Sequence, residues 1–454
     1  PGWLWTNQNI EPKIKKLKNL YKGFRVIKNI ENSSLKDYLL NEKRHQKDNG
    51  IEDVVGEIIS AVKESGDHSL LSCIKRYEEK DLKSVDEILF DQNFLEDKFN
   101  SLNKKNKDML VYMANRIEKF HQKDIELFRE FEDDSVEKYG YFKRPIEKVG
   151  LYAPGGKAQY PSSVLMTGVL AKLAKVKDIT VMFPGKIDDL DLMFASSHLI
   201  GAKRVINSGG AHTLAAIAFG TENIESVDKI FGPGNSYVSE AKRQLYGEVG
   251  IDSLNGPSEV AIIVDKNSSI EYAVKDFLAQ AEHGEDSRCF LIHLPGFDLN
   301  QFKKSLEKNL SISKRKSIIE NALINCCSID ANSLNHAISL SNLIIPEHLE
   351  ILIDNIDLDK MPEIRAGAVF IGTESSAVMG DYCAGPSHVI PTGGQGRFSS
   401  QVSLNDFYIK TSFMVATKNS YKKNGFKALL DNSITIAESE GLLEHANALK
   451  ERDS

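Results

Sequence analysis

Cysteine is scarce in this 454-residue sequence: Cys73, Cys289, Cys326, Cys327 and Cys383 are all there are, with no CxxC pair. An odd number at so low a density argues against a disulfide framework and against a thiolate metal site. Long apolar runs are missing too, since none approaches the roughly 18 residues of a membrane span. Positive charge is not in excess: 57 Lys and Arg stand against 64 Asp and Glu, a net charge of −7 spread along the chain. That is the wrong sign for a nucleic-acid footprint and reads as a solvated surface. The opening Pro1-Gly2-Trp3-Leu4-Trp5-Thr6 has neither the basic region nor the apolar stretch of a secretory signal. The expectation is therefore cytoplasmic, with no membrane and no nucleic-acid partner. Also absent is GxGxxG, the usual dinucleotide fingerprint.

What is present is ordinary globular material. Hydrophobic residues make up 41% and charged residues 27%, enough for more than one core. The length suggests about three domains, or two large ones with appendages. The chain is charged and helical in pattern to about residue 145, with helical spacing from Ile51 to Val62 and one or two amphipathic helices from Asn100 to Phe128. From Val149 to Val264 short β-rich runs alternate with Gly-rich turns and helical segments, the pattern of βαβ units on a parallel sheet. Strands are expected at Lys148–Tyr152, Ile179–Phe183, Arg204–Ile206, Lys229–Phe231 and Glu259–Val264. Helices are expected near Ser163–Leu173, Leu190–Leu199, Ala211–Ala218, Ser236–Leu245 and Glu271–His283. Further strands fall at Cys289–His293 and Ala368–Ile371, and from about residue 405 the tail reads as helix, ending in Leu442–Leu449. The fold class is α/β, two α/β units with helical additions at both ends.

Five segments could carry chemistry. Tyr152-Ala153-Pro154-Gly155-Gly156 and Phe231-Gly232-Pro233-Gly234-Asn235 each close a strand and lead into a helix, so they are either phosphate-approaching turns or tight structural ones. In Gln280-Ala281-Glu282-His283-Gly284, positions i and i+3 share a helix face; they could hold two corners of a metal site, or His283 could be a surface or capping residue. Pro346-Glu347-His348-Leu349-Glu350 reads as the opening turn of a helix, whose dipole would keep His348 neutral and able to accept a proton, with Glu347 placed to activate water. An ordinary acidic first turn is the alternative. Gly380-Asp381-Tyr382-Cys383-Ala384-Gly385-Pro386-Ser387-His388 suggests a tight loop lining a pocket. Glu440 and His445 are five residues apart, which is the wrong spacing for one helix face, so they converge only if Glu440 starts the helix.

Taken in order, these blocks, with Asn255-Gly256-Pro257-Ser258-Glu259-Val260, Pro391-Thr392-Gly393-Gly394 and Arg397-Phe398-Ser399-Ser400, resemble the histidinol dehydrogenase family from about residue 50 to the C-terminus. The resemblance implies two incomplete Rossmann-like parallel-sheet domains in an intertwined homodimer. The implied divisions are 1–45, an N-terminal helical extension; 46–147 with 257–403, carrying most of the active site; 148–256, binding NAD; and 404–454, a helical domain reaching the partner. It implies one zinc ion per subunit on Gln280, His283, Asp381 and His445, a set without thiolate that suits zinc. Ser258 and Glu440 would contact substrate together with Gln280, His283, His348, Asp381 and His445, with His388 close by. Glu440 and His445 would come from the partner subunit.

The implied activity is the last step of histidine biosynthesis, L-histidinol to L-histidine through L-histidinal, with two hydrides passed to NAD. His348 would be the base in both oxidations and Glu347 would activate the water between them. Tyr152, His212 and Asn235 would contact NAD; at His212 the family usually has Gln, so that contact departs from the pattern. Cys383 reads as a small residue packed in a tight loop, against a thiohemiacetal role. The rivals are a related NAD-dependent dehydrogenase of another small alcohol such as a sulfonated diol, a catalytically silent metal- or nucleotide-binding protein, and a zinc hydrolase.

Overall fold

The computed structural model describes residues 27–39, 50–131, 133–155, 159–254 and 256–452. Most of the expected 1–45 extension, together with Gly156 and Asn255, lies outside the described residues. In chain order the strands are β1 (Lys28–Ile30), β2 (Leu89–Asp91), β3 (Phe128–Phe131), β4 (Lys138–Pro145) and β5 (Lys148–Tyr152). Then come β6 (Asp178–Met182), β7 (Arg204–Ile206), β8 (Lys229–Phe231), β9 (Gly250–Ile251) and β10 (Glu259–Val264). The last are β11 (Arg288–His293), β12 (Cys327–Asp330), β13 (His348–Ile351), β14 (Ala368–Ile371) and β15 (Tyr408–Val415).

Two six-stranded sheets share one topology. One runs β2-β7-β6-β5-β8-β9, parallel except for β2, which pairs antiparallel with β7. The other runs β1-β12-β11-β10-β13-β14 and is parallel throughout. In each, three successive strands wind one way from a central strand and the next two wind the other way. The strand order therefore reverses between β5 and β8, and between β10 and β13. The central strands are buried on both faces, which is why β10 (Glu-Val-Ala-Ile-Ile-Val) and β6 (Asp-Ile-Thr-Val-Met) show almost no alternation. A third, antiparallel sheet, β15-β4-β3, ties residues 408–415 to 128–145.

The strand and helix expectations between residues 148 and 293 hold to within about two residues at each end. Three others need correction. The tail from residue 405 is not all helix, because β15 pairs along eight residues with β4 before the helices Phe426–Ser439 and Leu443–Lys450 begin. Nor do the helices between residues 51 and 121 pack mainly on 257–403. Helix Ile51–Tyr77 lies on helices Ala211–Phe219 and Ser236–Leu245, Gln92–Ser101 on Asp191–Leu199, and Lys104–His121 on Pro161–Leu173. Its buried stripe of Val55, Ile58, Val62, Leu70 and Ile74 belongs to the core of the β5–β9 unit, whose parallel sheet needs cover.

The third correction bears on function. Pro346 does not open a helix; it ends one. Helix Leu334–Ile344 stops at Ile345, which is left-handed at φ 55°, and Pro346 follows where proline commonly terminates a helix. His348 to Ile351 then form β13, between β10 and β14.

Candidate active site

The chemistry gathers at the amino edge of the β10-centred sheet. Glu259, first in β10, is in register with Arg288, first in β11. On its other side the backbone N–H of Glu259 donates to the Glu347 carboxylate at 2.9 Å, just ahead of β13. Arg288 Nη1 donates to Glu259 Oε1 at 3.0 Å, and the Gly393 N–H donates to the other oxygen at 3.1 Å. One buried carboxylate thus braces the strand end, the guanidinium and the Pro391–Gly394 turn. Ser258 precedes β10, its carbonyl accepting from the Arg288 N–H at 2.9 Å.

Helix Ile270–Ala281 runs back to this edge and brings Gln280 there in its last turn; Gln280 is buried, and its Nε2 has no hydrogen-bond partner among the described residues. The helix ends before His283, whose N–H returns to the Gln280 carbonyl at 3.2 Å. Asp381 closes the short helix Ala377–Tyr382 with Oδ1 3.7 Å from His348 Nε2. His388 Nδ1 donates to the Asp381 carbonyl at 2.9 Å. A cavity of about 430 Å³ opens beside His348 and His388 and is walled by Gly367, Phe370 and Pro386.

Burial dominates the electrostatics. It lowers the His348 pKa to about 3, helped by the neighbouring His283 and His388. His388 is lowered to about 4 for the same first reason, its bond to the Asp381 carbonyl opposing the shift. Burial lifts the Asp381 carboxyl to about 7, and burial, with Asp381 and Glu259 nearby, pushes Glu347 well above the usual carboxylate range. His348 is neutral because it is desolvated, not because of a helix dipole as the sequence suggested.

Asp381, His283 and the unpartnered Gln280 amide are donor types that a zinc-type ion takes, with no thiolate needed. Among the described residues no three His, Cys, Asp or Glu side chains surround a common metal position. Glu440 and His445 are not brought to the group within one chain. Glu440 ends helix Phe426–Ser439 rather than starting the next, and both side chains are exposed.

A second crevice lies at the carboxyl edge of the other sheet, where β5 and β8 diverge. Tyr152 ends β5, and Gly232 follows β8 so closely that an added Cβ would strike the Tyr152 carbonyl. Asn235 caps helix Ser236–Leu245 by accepting from the Val238 N–H. His212, buried in the first turn of helix Ala211–Phe219, is 3.1 Å from Glu78 through Nε2. Carboxyl ends at a topological switch point are where α/β sheets take nucleotides. Tyr160, just before helix Pro161–Leu173, interacts electrostatically with Tyr382, the residue after Asp381.

Sequence reasoning missed Glu78, Arg116, Glu259 and Arg288. Glu259 and Arg288 could have been suspected, since a charge at the head of a fully apolar strand must be paired if buried. Cys383 packs toward the core of the β5–β9 unit, as a packing role requires.

Two Rossmann-like sheets, one with a nucleotide-type crevice and one with a buried imidazole–carboxylate group, define an α/β oxidoreductase. A match to the histidinol dehydrogenase family spans residues 41–453, and the chain belongs to that family. It is 35% identical over 410 residues to the histidinol dehydrogenase of Pseudomonas putida, covering 89% of this chain and 91% of that one. To that of Syntrophotalea carbinolica it is 36% identical over 412 residues, covering 89% and 93%. The crystal structure of histidinol dehydrogenase from Elizabethkingia anophelis superposes with a TM-score of 0.84 at 33% identity, covering 94% of this chain and 98% of that one.

Proposed function

We propose that the protein oxidises L-histidinol through L-histidinal to L-histidine in the cytoplasm, as a homodimer with shared active sites. The observation that carries this is His348: a buried imidazole held neutral, with Glu347 before it and Asp381 3.7 Å away. Gln280, His283 and Asp381, with His445 supplied by a partner subunit, would hold one zinc ion per subunit. Zinc at that position would orient the substrate through its imidazole and amino nitrogens. NAD, at Tyr152, His212 and Asn235, would accept one hydride in each oxidation.

His348 takes the hydroxyl proton of the alcohol as the carbon gives up its hydride. Glu347, steadied by the Glu259 N–H, takes a proton from water as the oxygen adds to the aldehyde carbon, while His348 returns its proton to the former carbonyl oxygen, giving the gem-diol. His348 then removes a diol proton as the second hydride leaves. Ser258 and, from the partner's tail, Glu440 hold the amino-alcohol end.

The test is purified protein with zinc, NAD and histidinol, following NADH and histidine together. Two NADH per histidine is the expected result. No turnover of histidinol, with turnover of another small alcohol, would replace the substrate; no NADH from any alcohol would end the dehydrogenase reading.

A further inference from the structure

Glu78 is a buried carboxylate that the mechanism above does not use. It follows helix Ile51–Tyr77, yet it reaches the β7 turn of the nucleotide crevice and gathers three donors and one ammonium group there. The Ser208 hydroxyl donates to Oε1, the Gly209 N–H does so at 3.1 Å, and His212 Nε2 lies 3.1 Å from the same oxygen. Lys80 Nζ is 3.1 Å from the other oxygen and is itself anchored on the Asn207 carbonyl at 2.8 Å. Burial pulls the Glu78 pKa upward, but His212, Lys80 and Ser208 outweigh it and hold the carboxyl at about 2.

A carboxylate can only accept. His212 Nε2 must therefore carry the proton, with Ser208 Oγ at 3.4 Å as a second, longer acceptor. In the neutral ring Nδ1 is then a bare acceptor. No hydrogen bond engages Nδ1 among the described residues, and the Nδ1–Cε1 edge lies against the open face of Gly210, 3.5 and 3.3 Å from where a side chain would begin. On the same turn the Tyr152 hydroxyl lies against Gly209; burial raises its pKa to about 12, so it keeps its proton, and no acceptor takes that proton among the described residues. The Gly209-Gly210 turn thus carries a donor and an acceptor, the pair that a vicinal diol satisfies: one hydroxyl accepts from Tyr152 and the other donates to His212.

We propose that Glu78 is a positioning residue of the cofactor pocket, fixing His212 with Nδ1 unprotonated so that it and Tyr152 together recognise a ribose diol of the dinucleotide. This rests on the dinucleotide reading above. A glutamine at position 212 could offer either end of its amide without help; a histidine needs its tautomer set, and Glu78 sets it.

The experiment is NADH binding to the zinc-loaded full chain by fluorescence titration, with a double-mutant cycle. E78Q should weaken binding about tenfold. In an H212Q background the same change should cost less than about twofold. Imidazole 15N NMR, with the His212 signals assigned by their loss in H212Q, should show Nε2 protonated in the unaltered protein and mixed tautomers in E78Q. If E78Q does not fold, E78D and H212A replace it, and H212A should weaken binding at an unchanged melting temperature. An unaltered Kd in folded E78Q, a tenfold loss that persists with H212Q, or an Nδ1-protonated His212 would overturn the inference alone. No NADH binding by the unaltered protein would overturn it together with the dinucleotide reading.

Discussion

Arg116 donates through Nε to the carbonyl of Cys383 at 3.0 Å and through Nη2 to that of Ala384 at the same distance. It reaches there from helix Lys104–His121, which packs on the β5–β9 unit, to a loop that carries Asp381 and His388. The next residue, Gly385, is at φ 116°, and a Cβ added there would come 3.1 Å from the Arg116 carbonyl and 3.0 Å from Phe120 Cβ, so a side chain would be strained and crowded. One unit of the molecule therefore positions a proposed zinc ligand of the other.

Replacing Arg116 by Ala should free the Asp381–His388 loop without touching any proposed ligand. The expected result is zinc affinity lower by about 10–100-fold, the usual cost of losing support behind a ligand. Competition with a chromophoric chelator reads it directly. Unchanged affinity would mean that the loop holds its shape unaided.

Glu350 supplies a pH test of stability. Burial, and next Asp276, raise its pKa from 4.5 to about 8, with the Ala377 N–H opposing. A carboxyl whose pKa is higher folded than unfolded binds its proton more tightly in the native state. Its contribution is full below pH 4.5 and is lost as pH rises through about 8. Glu350→Gln keeps the shape and removes the titration. The variant should gain on the parent steadily between pH 5 and pH 8.5, by an amount on the order of a few kcal/mol. Urea denaturation at several pH values measures this, and parallel curves would refute it.

Much of the β5–β9 unit was legible because its signals are local. Val149-Gly150-Leu151-Tyr152 can only be a buried strand, and the glycine turns after Tyr152 and Phe231 mark its carboxyl edge. The residues at Gln280, His283, Asp381, Glu347 and His348 were found through motif likeness; of these the structure brings His348 within 3.7 Å of Asp381. What failed were signals with two meanings. Pro346 starts helices and also follows them, and only the buried Leu349 and Ile351 of β13 decide between the two. β15 is half exposed and short of strand pattern, and it exists because β4 pairs with it. Glu78 and Arg116 act over 131 and 267 positions of separation, which no spacing rule reaches.

Glu440 and His445 are exposed in the single chain, on the helix pair that follows β15. If they complete a partner's site, H348A and H445A should each be inactive as homodimers but should complement one another. In a hybrid dimer one site carries both lesions and the other none. Equal co-expression should then restore about a quarter of the parental activity, since half the dimers are hybrids with one good site each. The activity of tandem-tagged hybrids checks this, and no restoration would place both residues in their own subunit's site or in none.

Glu347 and His348 are adjacent in sequence, yet the proposed chemistry gives them separable tasks. His348 serves both oxidations, so His348→Gln should slow both by about 10²–10⁴-fold. Glu347 is needed only when water must be deprotonated. In Glu347→Gln the first oxidation should survive, while the second falls by about 10²–10⁴-fold. Because the one hydrogen bond to Glu347 Oε2 among the described residues is from the Glu259 N–H at 2.9 Å, Gln keeps the neighbouring packing and changes mainly the ability to take a proton. Single-turnover kinetics with histidinol should then show one NADH formed quickly and bound aldehyde, trapped with a hydrazine, in place of histidine. Equal slowing of both steps in Glu347→Gln would show that the two residues act as one unit and would remove the division of labour.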